Sequence, residues 1–282
     1  MLKVFGFVRR NARLTHDEYR AAHVGYHNSF GRRLPGIRGY ILNVTANRSV
    51  RESLGPLSNQ IVRGEPEGFD DMWDGWGQLM FDSLPDYLAG KSPARDRAGP
   101  NGLDFDPRVK EVGGDGDHLY NGSPFQFQVD EHVSVPVRRP ERKLFKLVQF
   151  ARRRPDMSPE EFRACWSGVH AALVASLPGL RGHILNFRTT LDVMTGFFPP
   201  DSEAFTPEGR TRRDAFYGLW DGIAELWFDA PDQFATGRAD PAIADRLDRL
   251  EQRLFDAVWY REVDETIAVM PNRAPAPDFY FR

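Results

Sequence analysis

A chain of 282 residues is long enough for two ordinary domains, and 41% hydrophobic with 12% aromatic content excludes a disordered chain. The formal net charge of −3 gives no electrostatic basis for nucleic-acid binding. No apolar run approaches the roughly 20 residues of a membrane span, the first residues lack the layout of a secretory signal, and the single Cys165 excludes an internal disulfide and fits a reducing cytoplasm.

In chain order, Lys3–Arg10 is a compact apolar run ending in charge, the pattern of a buried strand. Thr15-x-x-Glu18 is a capping box that opens a helix, and Pro35-Gly36 ends it. Arg38–Val44 is a second strand, and the tight turn Asp74-Gly75 leads into a third at Gly77–Phe81. Residues 98–124 read mostly as loop, and Val129–Pro136 as a fourth strand. The same order then recurs, with a strand at Lys146–Arg153 and a capping box at Ser158-x-x-Glu161 carrying Pro159 at the first helical position. At 100° per residue, Phe162, Trp166, Val169, Leu173 and Leu177 gather on one helix face. Strands at Arg181–Phe187 and Ala224–Phe228, a helix over Pro241–Trp259 and a strand at Val263–Pro271 follow. The connections 47–71 and 190–215 are long enough to be lids or oligomer arms, and 194–205, "MTGFFPPDSEAF", is expected to cover a pocket in the second half.

The recurrence is a duplication. Leu34–Asn43 and Leu177–Asn186 share eight of ten residues, and Leu2–Asn47 overlays Phe145–Thr190 without gaps. Met72–Asp82 matches Leu219–Asp229, and Val129–Pro136 matches Val263–Pro271, in the same order. The expected fold is α+β: two tandem ferredoxin-like βαββαβ repeats whose antiparallel sheets pack as an intramolecular dimeric α/β barrel. The expected boundaries are 1–136 for the first repeat, 137–143 for a linker, 144–271 for the second repeat and 272–282 for a Pro/aromatic tail. Phe279, Tyr280 and Phe281 favour docking of that tail on its own chain or a neighbour, hence a homodimer, although tandem copies could also close the barrel in a monomer.

The stretches "GYHNSFGRRLPGIRGYILN" and "VHAALVASLPGLRGHILN", with "DGWGQLMFD" and "DGIAELWFD", resemble the EthD-domain proteins of the dimeric α/β-barrel superfamily. The resemblance covers nearly the whole chain as two domains in tandem, and it is more specific for fold than for reaction. It implies a pocket between helix and sheet in each half, lined by the helix histidine. The activities it implies range over small lyases, dehydratases, decarboxylases, isomerases and cofactor-free monooxygenases, and more distant members bind haem.

His27 and His170 occupy equivalent helix positions at the flank of the apolar stripe, where imidazole could move protons near neutral pH. The alternative is a satisfied core histidine. The halves disagree at Tyr40/His183, Gln78/Glu225 and His23/Trp166, so the candidate catalytic groups are His27, His170, His183, Tyr40 and Glu225. A glutamate within the apolar run "AELWF" needs a partner, and a rim carboxylate paired with arginine is the competing reading of Glu225. Candidate substrate-lining residues are His23, Tyr26, Asn43, Asn186, Trp73, Trp220, Asp74 and Asp221, each with a structural alternative: a strand contact, a core side chain or a tight turn. Cys165 reads as a small core residue. His16, His23 and His27 share a helix face, but the spacing falls short of a zinc motif, so no metal is expected. No phosphate loop, dinucleotide fingerprint or nucleophile elbow is present, so no cofactor is expected either. The expected function is a cofactor-independent lyase of dehydratase or decarboxylase type, with a histidine acid/base acting on a small aromatic or polyketide-like oxygenated substrate. A cofactor-free monooxygenase of aromatic compounds and a non-catalytic ligand-binding barrel are the alternatives.

Overall fold

The computed structural model describes residues 1–96, 119–122, 125–139, 142–195, 198, 200–271 and 278–279. Eight long strands are β1 (Leu2–Val8), β2 (Gly39–Thr45), β3 (Gly75–Phe81), β4 (Phe125–Val135), β6 (Phe145–Arg153), β7 (Gly182–Arg188), β8 (Gly222–Phe228) and β9 (Phe255–Val269). They close into one antiparallel barrel in the order β1-β3-β2-β9-β6-β8-β7-β4. The edges that two separate sheets would expose are joined, β2 to β9 and β4 to β7, so no unpaired edge is left in the barrel. The short β5 (Arg138–Arg139) and β10 (Asp278–Phe279) pair in parallel outside it, which ties part of the tail to its own chain. No helix among the described residues is long and apolar enough to cross a membrane.

The helices cover the outside of the barrel. α1 (residues 16–31) and α3 (residues 159–175) begin at Thr15 and Ser158, and both capping boxes are formed. α2 (Leu84–Asp96), α4 (Pro207–Leu219), α5 (Pro231–Arg238) and α6 (Pro241–Leu254) complete the set used below. α1 and α3 each widen into a π-helical turn, over Ala22–His27 and Trp166–His170, and each wide turn ends on the helix histidine. The extra residue per turn rotates the face expected from a 100° period. Val169 is therefore pushed out to 54% exposure, and His170 takes the buried place at 1%.

Two further expectations change. The helix expected over Pro241–Trp259 stops at Leu254, because Phe255–Tyr260 follow a period of two. Ala257 and Trp259 face the barrel interior, while Val258 and Tyr260 face the helix layer. The long connections pack against the barrel rather than standing apart as arms. Phe69 of the first stacks edge-on against Phe150 and Trp259, and Phe216 of α4 against Phe7. The loop-like segment 98–124 and the stretch 194–205 lie partly outside the described residues.

The interior has two layers. One is aromatic, built on Phe7, Trp73, Trp76, Phe127, Phe150, Trp220 and Trp259. The other is ionic. Lys3 Nζ donates to Glu131 (2.6 Å), Asn186 (2.6 Å) and Glu225 (3.1 Å). Lys146 Nζ meets Asn43 (2.8 Å), Glu265 (2.7 Å) and the second oxygen of Glu225 (2.5 Å). Gln78 and Asn186 also donate to Glu225, at 2.7 and 3.0 Å. Replacing Glu225 by Ala would leave two lysines enclosed without their shared carboxylate. The expected cost is about 3–5 kcal/mol of folding free energy, read as a lower midpoint in urea unfolding; an unchanged midpoint would refute the shared-anchor role.

Candidate functional site

The richest polar cluster outside the barrel lies beneath α3 and α6. On α6, Ile243, Leu247 and Leu254 are buried, and Glu251 sits on the same face. A carboxylate on that face must be compensated. One oxygen of Glu251 lies 3.3 Å from His170 Nε2, and the other accepts from Arg238 at 2.8 Å, which also holds Asp248. Burial pushes the Glu251 carboxyl up, but the His170 hydrogen bond and the charges of Arg238, His170 and Arg63 outweigh it and leave the group below the usual carboxylate range. An ionised Glu251 accepts Nε2–H, and in the neutral ring the lone pair then resides on Nδ1. That Nδ1 is buried without a hydrogen-bond partner.

His183, on the outward face of β7, is in the same patch. It is fully buried, and neither ring nitrogen has a hydrogen-bond partner among the described residues. Burial lowers its pKa to about 3, with smaller contributions from His170 and His132, so its ring is neutral near pH 7. Tyr260, on β9 with β6 and β8 between it and β7, accepts from Gln149 at 2.8 Å, and burial raises its phenol. The second half thus presents a carboxylate-oriented imidazole with a free lone pair beside a neutral imidazole with both nitrogens free. That combination can remove a proton from carbon or oxygen and return it.

The first half is built differently. His23 stacks between Tyr19 and His27, with ring centroids 5.1 Å apart on both sides. Tyr120 Oη lies 3.0 Å from His23 Nδ1, and Tyr120 and Tyr40 both meet His27 edge-on. Burial, then His27, holds the His23 pKa well below its ordinary value. His23, His27 and Tyr40 therefore come together, as the expected lining requires, but no described carboxylate orients either imidazole. Tyr26 does not join them. It is 48% exposed, packed edge-on against Phe30.

The remaining sequence candidates go elsewhere. Glu225 faces the barrel interior, whereas His183 and His170 lie on its outer side; the expected grouping of Glu225 with His170 and His183 does not form, because neighbouring positions on paired strands point to opposite faces. Asn43 and Asn186 hold the interior lysines. Trp73 and Trp220 belong to the aromatic layer. Asp74 accepts from the backbone and side chain of Arg10, and Asp221 from the backbone of Arg153, so each fixes the turn before its strand. His16 Nε2 lies 2.8 Å from the Thr45 carbonyl, which takes it away from His23 and His27. A separate cleft of about 480 Å³ at the barrel end is lined by Arg10, Arg48, Asp70, Asp74 and Arg261 among others. Three of its arginines, Arg10, Arg48 and Arg261, are paired with Asp74, Glu262 and Asp70, and Arg9 lines it as well.

Sequence reasoning missed Lys3, Lys146 and Glu251. The signals were present: only five of the 37 basic residues are lysines, and two of these stand at matching positions inside apolar strands. Glu251 interrupts the apolar face of α6 at helical spacing from Leu247 and Leu254.

The His183 pKa carries a pH signature. A base whose folded pKa lies below its unfolded value of 6.5 costs stability as pH falls through the interval from 6.5 to about 3, because only the unfolded chain takes up the proton there. The wild-type unfolding free energy should therefore drop by about 1.4 kcal/mol per pH unit across that interval from this residue alone. His183→Leu should remove that part of the slope in urea unfolding at stepped pH; equal slopes would refute it.

Comparison with known proteins adds the following. Residues 154–257 match the EthD domain model. Among solved structures, a protein named "Putative monooxygenase" from Fusobacterium nucleatum shares 9% identity, with 94% of this chain and 92% of that chain covered and a TM-score of 0.52. A second so named, from Lactobacillus acidophilus, shares 11% identity over 96% of both chains with a TM-score of 0.46. An "anthrone oxidase-like protein" shares 12% over 95% and 93%, with a TM-score of 0.47. No curated protein matches the chain. The F. nucleatum protein shares the fold, and the stretch that matches the EthD domain model carries His170, His183, Arg238 and Glu251.

Proposed function

We propose that the protein is an enzyme that abstracts a proton from a small, oxygenated, aromatic or polyketide-like molecule, with His170 as base, Glu251 and Arg238 as its orienting pair and His183 as the second proton-handling group. The observation that carries this reading is the buried Glu251–His170 hydrogen bond with Nδ1 left unpartnered beside His183. A carboxylate on one ring nitrogen fixes the tautomer and strengthens the other as a base. The aromatic stack of His23, His27, Tyr40 and Tyr120 serves as a ligand-lining counterpart.

The carbanion left by proton removal has two fates. Expulsion of a β-hydroxyl group as water, its proton returned by the imidazole, would make the enzyme a lyase. Attack on dioxygen would convert a methylene to a carbonyl and release the second oxygen atom as water, with the substrate supplying all four electrons. The second fate is preferred, because the structural neighbour from F. nucleatum carries a monooxygenase name and nothing comparable favours a lyase. Both fates need no bound cofactor in this reading.

The duplication and the strand order support a two-repeat organisation with boundaries near 136 and 144. Residues 2–135 supply β4-β1-β3-β2 and residues 145–269 supply β9-β6-β8-β7, the same arrangement twice. The barrel closes within one chain, and Asp278–Phe279 pairs with its own linker, so a second copy is not needed to complete either cluster. A single cysteine suits a cytoplasmic setting.

Hydrogen–deuterium exchange tests the shared step. An enolisable aromatic ketone, 2-tetralone, in D2O under argon should exchange its acidic protons faster with enzyme than without. His170→Ala should lower the enzyme-dependent rate by about 10²–10⁴-fold, and Glu251→Gln by less, with melting temperatures as controls. In air, oxygen uptake by the wild type would identify the oxygenase fate, and loss of water from a β-hydroxylated analogue under argon the lyase fate. A folded His170→Ala protein that exchanges at the wild-type rate would sink the proposal.

A further inference from the structure

The connection between β2 and β3 belongs to the first half of the sequence but packs on the second. Val50, Leu54 and Ile61 are buried in the same cluster as Phe162, Trp166, Leu247 and Leu254. Arg48 holds Glu262 of β9 through two hydrogen bonds, of 3.0 and 2.6 Å, and Ser53 donates to the same carboxylate. The segment then runs beside β9 for one residue. Arg63 N donates to Val258 O and Val258 N to Arg63 O, both at 2.8 Å. Gly64 leaves this bridge at φ +59°, and a Cβ there would come within 2.9 Å of Ala257, so the turn after Arg63 is tightly fixed.

The bridge determines where the Arg63 side chain goes. Residues directly opposite in an antiparallel pair project to the same face, and Val258 faces the helix layer together with Tyr260. Arg63 is therefore delivered to the side of the barrel that carries Glu251 and His170. Its charge is felt there, helping to lower both Glu251 and Tyr260. Yet its guanidinium makes no hydrogen bond or ion pair among the described residues, and Nη2 is buried without a partner. The carboxylates that could claim it are engaged elsewhere. Both oxygens of Glu251 are taken by His170 and Arg238, Asp248 is on Arg238, and Glu65 is 3.0 Å from Arg51. The patch thus holds a guanidinium that is hydrogen-bonded to none of its described carboxylates, with a buried donor close enough to Glu251 and Tyr260 for its charge to act on both.

We infer that Arg63 is the anion-holding residue of the second-half site, contributed by the first half of the chain, and that the ligand carries an ionised oxygen, a carboxylate or an enolate-type oxyanion. A buried guanidinium edge matches either oxygen chemistry. An arginine in this place would also stabilise the charge that proton abstraction puts on a substrate oxygen. The inference rests on the second-half site being the working one.

The test uses the full-length protein and two isosteric probes, benzoate and benzamide, with binding measured by calorimetry. Wild type should prefer benzoate. Arg63→Gln should reduce that preference by about 10- to 100-fold, and Arg63→Lys, which keeps the charge but loses the fork, should retain part of it. Equal melting temperatures would show that the connection stays docked; Arg63→Lys serves as the folded comparison if Arg63→Gln does not. Absence of any benzoate preference in the wild type, including absence of binding at millimolar concentration, overturns the inference, as does a preference that survives in folded Arg63→Gln. Enolate-type ligands are distinguished by repeating the comparison with p-nitrophenolate above and below its pKa. The proton-abstraction reading fails separately, in the exchange assay with His170→Ala, which leaves the benzoate comparison intact.

Discussion

Glu225 joins two lysines that stand nearly half a chain apart, and the rest of the barrel is arranged around that contact. Lys3 comes from the first strand and Lys146 from its counterpart 143 residues later, and each takes one oxygen of the same carboxylate. Asn43 and Asn186 reach across from the opposite halves to complete the two shells. Glu131 and Glu265 supply the remaining negative charge, with Arg139 also on Glu265. Burial raises the Glu265 carboxyl, and the charges of Lys146 and Arg139 bring it back below its usual range. Such a core is poor value as raw stability, since desolvating ions opposes their attraction. What it gives is registry: a one-residue slip of any strand would turn its ionic partner out of the barrel.

With the interior occupied by this network and by the aromatic layer, both histidine clusters lie outside it, between strands and helices. They occupy matching positions but have different electrostatics, because Glu251 and Arg238 back one and the other is held by stacked rings. Duplication supplied two equivalent positions, and substitution at three pairs of residues, His23/Trp166, Tyr40/His183 and Gln78/Glu225, made them unequal. The last pair acts inside the barrel, where Gln78 donates to the carboxylate that Lys3 and Lys146 share, and the second-half imidazole has its carboxylate from α6.

The wide turns of α1 and α3 have a comparable consequence. A regular helix would place Val169 and Tyr26 against the sheet and leave the histidines on the flank. Each π-helical turn adds a residue, and His170 then lies buried facing α6 while Val169 and Tyr26 face solvent. Glycine at Gly25 and Gly168 stands next to the displaced residues, but the space around both is open, so their role is not set by close packing.

The sequence by itself determined what local chemistry and repetition can express. Two capping boxes, two Asp-Gly turns and matched apolar runs fix where strands and first helices start, because these depend on neighbours a few residues away. The shared blocks also make the duplication readable. The tertiary structure decided the rest. Which face of β8 points inward settles whether Glu225 serves a histidine or two lysines, and that depends on barrel closure. The end of α6 at Leu254 depends on Ala257 and Trp259 finding the interior, a non-local reward that outweighs the helical pattern. Glu251 reaches His170 from 81 residues downstream, and Arg63 bridges to Val258 from the other half of the chain, through contacts that no spacing rule encodes. Periodicity reports a residue's own element, whereas a site is made by the faces that several elements turn toward one another.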